Sequence, residues 1–469
     1  MSTAPLNRRG HLANAATVPA DLSPAGMLAY AGPLLGAAYL LFFVQFYFLK
    51  FATDELLLAP AAVGALFGLA KIWDAISDPL VGHWSDRTRS RLGRRRPWMW
   101  AALLPLGAAF VLVWVPPAGL GGGALLGWEA GALLGLYTAL TAYMVPHASL
   151  GIELSVDAHQ RTRLFALRHV AWTLGLFAAF AAIQAVAGTA DARAGVGRFA
   201  LGSAALAVAL LAVTPAVVRE PLGHRGRGGR GLRAAVSDVL ANPHARVLLA
   251  VWFIENLGVG AVGVLAPYMA EYVLRRPDLM GAIPAVYVAA GVLAVPVWVR
   301  LARRWGRQTT WLTAMVATAA AFGAAILVGE DDVGLVCVLM IIAGAGMGCG
   351  GALGNATLAD VIDFDERRTG ERKEGVYSAA WGFVLKLAVG LITAGVGLML
   401  QAAGFVPNQP QSATVIWTMR GLFAGLPCAA FAVGAALFWR FSLEQSGVGL
   451  ATQAGNGRRV GVRPRPIGE

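Results

Sequence analysis

The 469-residue chain is short of charge and almost empty of cysteine. Asp, Glu, Lys and Arg make up 14% of it against 57% hydrophobic residues, and its mean hydropathy is +0.62. So little charge cannot cover the surface of a water-soluble domain of this length. The three cysteines, Cys337, Cys349 and Cys428, all fall in apolar runs, which excludes a disulfide framework. Catalytic signatures are missing as well: there is no metal-ligand spacing and no nucleophile elbow. The glycine run GAGMGCGGALGN (Gly344–Asn355) has no strand before it, so it reads as close helix packing and not as a phosphate loop. An enzyme is excluded, and no cofactor is expected. The first 26 residues lack an apolar core and read as a short cytoplasmic tail with no signal peptide.

What the chain has is apolar length. Twelve stretches, centred on 27–50, 59–84, 98–116, 124–150, 164–187, 197–218, 247–272, 280–299, 309–328, 333–361, 376–402 and 417–440, are each long enough to cross ~30 Å of hydrocarbon as a helix. The expected fold is an all-α polytopic membrane protein. Its net charge of +12 is distributed by side, which argues for a bilayer and against nucleic acid. Basic residues crowd into alternate connections: six arginines stand between Arg87 and Arg96, with further clusters at Arg300–Arg307 and Arg367–Lys373. The opposite connections hold only Lys50, Arg193, Arg198, Arg275, Arg276 and Arg420. This asymmetry predicts a multi-pass protein of the plasma membrane with both termini in the cytoplasm.

The longest basic connection divides the chain into halves. The expected organisation is a tail (1–26), a six-helix bundle (27–218), a basic cytoplasmic linker (219–246), a second six-helix bundle (247–442) and a C-terminal tail (443–469). Aligning Gly93 with Gly306 lays WSDRTRSRLGRRRPW over VWVRLARRWGRQTTW, a partial internal repeat of the kind that builds transporters. The same alignment sets Asp74 on Tyr287 and Asp78 on Gly291, so only the first half carries acids there.

Those acids stand in an apolar run, KIWDAISDPLVG. Lys71, Asp74 and Asp78 at i, i+3 and i+7 project from one helical face within about 60°. Charge at membrane depth must face the bundle interior, either as a structural pair of Lys71 with one Asp or as a cation site of two carboxylates. Pro79 removes one backbone donor and frees carbonyl oxygen a turn earlier. Lys386, Arg168 and Glu255 are further ionisable residues inside apolar stretches, and Trp172 follows Arg168 at i+4.

The loop pattern Gly82, Asp86, Arg87, Gly93, Arg94 and Arg95, within six plus six helices, resembles the major facilitator superfamily. More narrowly, WDAISDPLVGHWSDRTRSRLGRRRPW and ADVIDFDERRTGERKEGVYSAAWGFVLK resemble the glycoside–pentoside–hexuronide:cation symporter family. The resemblance implies the coupling cation, Na+ or H+, at Asp74 and Asp78, and no metal beyond a transported Na+. It implies a counter-charge role for Lys386 and substrate contact for Arg168. Two departures stand out: Ala37 and Ala38 replace the family's first-helix sugar-gripping pair, and Met144 replaces a fourth-helix acid, beside Tyr143 and His147.

Tyr143, His147, Trp172 and Glu255 complete the candidate substrate or coupling residues. Asp86, Arg94, Arg95, Arg96, Asp360, Asp363 and Asp365 form a candidate cytoplasmic gate, in which acids of the second half face arginines of the first. The function expected is cation-coupled symport of a sugar, glycoside or sugar acid by a monomer in the lipid bilayer. A cation-coupled carrier of a lysolipid or other amphipathic substrate is the alternative.

Overall fold

The computed structural model describes residues 22–441 except 155–156, 188, 190–191, 221–236, 238, 331 and 372. The expected tails and most of the linker therefore lie outside the described residues. Twelve long helices run through the described chain: α1 (Pro24–Asp54), α2 (Pro60–Arg87), α3 (Arg96–Trp114), α4 (Gly122–Glu153), α5 (Ala158–Ala187), α6 (Ala192–Val217), α7 (Pro243–Tyr268), α8 (Ala282–Trp305), α9 (Arg307–Ala325), α10 (Val333–Thr369), α11 (Glu374–Ala402) and α12 (Ala413–Trp439). No strand occurs among the described residues. Ten of these helices are long and apolar enough to cross a membrane. The two that fall short are α2, diluted by Lys71, Asp74 and Asp78, and α9, diluted by Gln308 and four threonines.

Local chemistry starts and bends these helices. Ser23 accepts from the Gly26 amide ahead of Pro24, and Asn242 accepts from the amides of His244 and Ala245 ahead of Pro243. Each pairs an oxygen cap with a proline whose missing N–H costs nothing in the first turn. Pro33 breaks α1 into Pro24–Ala31 and Leu34–Asp54. Past Pro267, α7 widens into a π-turn, Met269–Val273. Gly306, at φ 82°, turns the chain between α8 and α9, a conformation open to glycine at no steric cost.

The connections Thr88–Arg95, Gly306 and Gly370–Lys373 lie at one end of the bundle, here termed the basic end; the other is the far end. Helices α1–α6 pack mainly with one another, as do α7–α12. Three pairings cross between the groups: α2 with α11 most extensively, then α1 with α7 and α5 with α8. The antiparallel α2–α11 seam is closest toward the far end. There a Cβ on Gly64 would lie 2.8 Å from the Thr393 carbonyl, and one on Gly68 would lie 3.0 Å from that of Gly390. Small residues let the two backbones meet. Toward the basic end the seam opens: a Cβ at Gly375 or Gly382 would meet nothing within 4 Å, and Trp84 and Phe383 are exposed. The helices thus close over the far end and part toward the basic end.

Candidate functional site

The acids predicted on one face of α2 meet the predicted lysine of α11 where the seam begins to open. Lys386 Nζ lies 2.6 Å from Asp78 Oδ2 and 3.0 Å from Asp74 Oδ2. It also donates to the Asp74 carbonyl oxygen at 3.3 Å, which the Ser77 hydroxyl reaches at 3.2 Å. The carbonyl that loses its helical donor to Pro79 is the next one along, that of Ala75.

The other carboxylate oxygens face a third helix. Thr141 Oγ1, on α4, lies 3.1 Å from Asp74 Oδ1 and 3.2 Å from Asp78 Oδ1, and Ser77 Oγ is 3.2 Å away. A hydroxyl has one proton, so Thr141 satisfies one carboxylate at a time. Three oxygens therefore converge on the Oδ1 side and one ammonium serves the Oδ2 side. Hard oxygens at this spacing suit a small monovalent cation or a shared proton. Asp74 is nearly closed off, whereas the Asp78 side chain is 39% exposed and faces the open part of the seam.

Lys71 is not part of this cluster. Its ammonium sits 4.6 Å from the centre of the Tyr137 ring and 5.6 Å from that of Phe67, a buried cation–π site, and it forms no ion pair with Asp74 or Asp78. The structural pairing of Lys71 with an acid is thereby set aside.

The remaining candidates separate. Arg168 and Trp172, half-buried on α5, do not touch the carboxylates: the guanidinium lies over Phe165, and Trp172 meets Phe42 of α1 edge-on at 5.5 Å. Tyr143 and His147, expected to face substrate, are fully buried. Tyr143 donates to the Leu211 carbonyl at 2.8 Å, while His147 bonds the Tyr30 carbonyl at 2.9 Å and stacks on the Tyr30 ring at 4.2 Å. Both tie α4 to its neighbours and line no substrate path in this structure. Ala37 and Ala38 are likewise buried, with Ala38 and the Leu35 carbonyl pressed against Gly175 of α5. Glu255 lies inside the second group of helices with Gly350, Trp311 and Gly434 around it and Oε1 unpartnered among the described residues.

The predicted gate residues pair at home. Arg94 binds Glu153 at 2.7 Å and Glu220 at 3.1 Å; Arg95 binds Glu153 at 2.7 Å and Asp86 at 3.4 Å; Arg96 donates to the Pro215 carbonyl at 2.8 Å. Across the opening, Asp360 pairs with Arg307, Asp365 pairs with Arg368 and Lys373, and Asp363 is exposed. The structure does not bring Asp360 or Asp365 to Arg94–Arg96, because α2 and α11 diverge at this end. Sequence reasoning missed Thr141, one unremarkable threonine on an apolar helix. A scan of α4 for side-chain oxygens one turn before the Met144 position would have found it.

Comparison with known proteins agrees with this architecture. The isoprimeverose transporter of Lactiplantibacillus pentosus is 27% identical, covering 84% of this chain and 83% of that protein. The inner membrane symporter YicJ of Escherichia coli K12 is 25% identical, over 85% and 87%. The crystal structure of a D-xylose–proton symporter superposes with a TM-score of 0.65 at 14% identity, covering 90% of this chain and 98% of that one, which supports the fold alone. Neither of these two relatives is named as a lipid carrier. A family model described as MFS/sugar transport protein matches residues 29–445, and with the α2–α11 seam and its charged cluster the chain belongs to the major facilitator transporters of the glycoside–pentoside–hexuronide:cation symporter family.

Proposed function

We propose that this transporter carries a sugar, glycoside or sugar acid together with Na+ or H+, with Asp74, Asp78 and Thr141 as the cation site and Lys386 as its counter-charge. The observation that carries the reading is the convergence of two carboxylates, a hydroxyl and an ammonium from α2, α4 and α11 on the seam between the halves. In this reading the basic end faces the cytoplasm, as the arginine distribution predicts, and the structure is open inward.

Coupling follows from electrostatics. Asp74 and Asp78 share the one ammonium that touches them, on the Oδ2 side, which leaves the Oδ1 side locally unbalanced, and closing water out of the cavity around such a face is costly. A cation on the Oδ1 side removes that imbalance without displacing Lys386 from the Oδ2 side. Closure over the loaded site then costs less, so the halves rock about a fixed mid-depth site. Arg168 offers a planar fork of donors for hydroxyls or a sugar carboxylate, and Trp172, one turn on, offers a flat apolar face. With Ala37 buried and Ala38 packed against Gly175 of α5, α1 supplies no polar grip there, so recognition falls to α5 and the second half.

The test is a thermal-shift screen of the purified protein against pentoses, hexoses, disaccharide glycosides, hexuronates and lysolipids, each with and without Na+ and at several pH values. A sugar-class ligand whose shift grows with Na+ or acid supports the proposal. Stabilisation by lysolipid alone, or by sugar with no cation or pH dependence, sinks it.

A further inference from the structure

The far end of the seam holds a second charged cluster that the cation site does not use. Lys50, on the last turn of α1, lies 2.6 Å from Asp54 on its own helix and 2.5 Å from Glu271 in the π-turn after α7. Around this triad, Thr53 and Tyr268 share a 2.8 Å hydrogen bond, the Tyr272 hydroxyl donates to Asp54, and Asn408 donates to the Asp54 carbonyl at 2.7 Å. The Lys50 ammonium also faces the Tyr272 ring at 5.4 Å. Lys50 and Asp54 are 5% and 2% exposed. Nearby, Gln184 of α5 accepts from the amides of Gly281 and Ala282 at the start of α8, and Gln401 of α11 accepts from the Ala61 amide of α2.

We propose that Lys50, Asp54 and Glu271, with Tyr272 and Asn408, form an ion latch that shuts the transport path at the far end and must break for that side to open. The bonds divide in a way that suits a latch. Lys50–Asp54 is an i, i+4 pair within α1 and survives separation of the halves, whereas Lys50–Glu271, Thr53–Tyr268, Asp54–Tyr272 and Asp54–Asn408 all cross between them. Chemistry favours reversibility: an apolar seal would expose hydrophobic surface on opening, but these groups exchange each other for water, which offsets much of the loss. The partner Glu271 rides on a π-turn, an irregular segment that helices use where geometry must change. The inference rests on the alternating-access reading, but not on the substrate or the coupling ion.

The experiment is site-directed labelling that needs no substrate. Ala394 of α11 packs against Gly68 on the seam between the latch and the cation site. In the full-length chain with Cys337, Cys349 and Cys428 replaced by alanine, Ala394→Cys is exposed to a membrane-impermeant maleimide from the far side. The labelling rate is compared with and without latch changes, and melting temperatures confirm folding. Lys50→Met and Glu271→Gln are expected to raise the rate at least tenfold, a shift of about 1.4 kcal/mol toward the far-open state. Tyr272→Phe raises it less, and Lys50→Arg leaves it slow. Unchanged labelling in both Lys50→Met and Glu271→Gln overturns the latch, as does equally fast labelling in Lys50→Arg. Should Lys50→Met fail to fold, Glu271→Gln decides alone. Because labelling reads the barrier directly, it can fail while sugar binding holds, or hold while sugar binding fails.

Discussion

Helices α2 and α8 occupy matching places in the two halves and end in matching arginine-rich turns, yet they have diverged into different kinds of object. On α2, Asp74 and Asp78 face Thr141 of α4 and Lys386 of α11. At the corresponding positions of α8, Tyr287 is buried and Gly291 lies against Gly344, Met347 and Gly348 of α10. One helix spends its polar face on a charged cluster; its counterpart spends the same face on backbone contact. Of the Gly344–Asn355 run, whose glycines read from sequence as packing, Gly344 and Gly348 receive α8, while Gly346 receives α9. The lesson is that a repeated loop does not imply a repeated face: the turns keep the halves alike, while the paired carboxylates occur once.

The turns themselves differ in the same sense. Arg94 is held by two carboxylates with its side chain only 15% exposed, whereas its counterpart Arg307 meets Asp360 with side chains 51% and 40% exposed. The first is a buried brace between α3, α4 and the end of α6; the second is a surface pair.

The comparison can be broken at several points. The largest effect is expected from Lys386→Met, which leaves Asp74 and Asp78 without the ammonium they share. Stability should fall by roughly 1–3 kcal/mol, less than for a fully buried pair because Asp78 is partly exposed, and accumulation should be lost. Melting temperature and uptake measure the two, and unchanged values for both would dissolve the cluster as a functional unit. Gly344→Val strikes the other helix: its Cβ collides with the Tyr287 carbonyl, so about 1–3 kcal/mol of stability should go, read as a lowered midpoint in thermal unfolding. Uptake per folded molecule should survive, since no ligand is touched. Smaller still is the contrast between the turns. Arg94→Ala should cost on the order of 1–2 kcal/mol, and Arg307→Ala under about 1 kcal/mol, as unfolding of each variant would show. Equal losses would erase the asymmetry argued here.

Much of this was legible from the residues alone. Apolar length gave the twelve helices, and the i, i+3, i+7 spacing put Lys71, Asp74 and Asp78 on one face. The isolation of Lys386 in an apolar stretch called for a carboxylate or a water-filled cavity, and its ammonium meets that pair of acids. What stayed hidden depends on partners far apart in the chain or on side chains with no distinctive spacing. Thr141 looks like any helical threonine until α2 is set against α4. Lys50 reads as a stray exterior charge, because Glu271 and Asn408, which complete its cluster, are more than two hundred residues away. Tyr143 and His147 look cavity-facing by composition, but the phase of α4 turns them into α1 and α6. The acids of α10 look like mates for Arg94–Arg96 by charge alone, and the opening between α2 and α11 keeps Asp360 and Asp365 with bases of their own half.

The central claim is that the α2 carboxylates serve a transported cation and not Lys71. Ion-driven uptake of a radiolabelled pentose or glycoside found in the ligand screen, measured side by side for Asp78→Asn and Lys71→Met in proteoliposomes, tests it most directly. Asp78→Asn keeps the size of the side chain and should fold with a near-unchanged melting temperature while losing ion-driven accumulation by roughly two orders of magnitude, the scale of a lost charged ligand worth about 3 kcal/mol. Lys71→Met, which removes only the cation–π contacts with Tyr137 and Phe67, should retain accumulation. An unstable Asp78→Asn rescued in both stability and uptake by adding Lys71→Met would contradict the account.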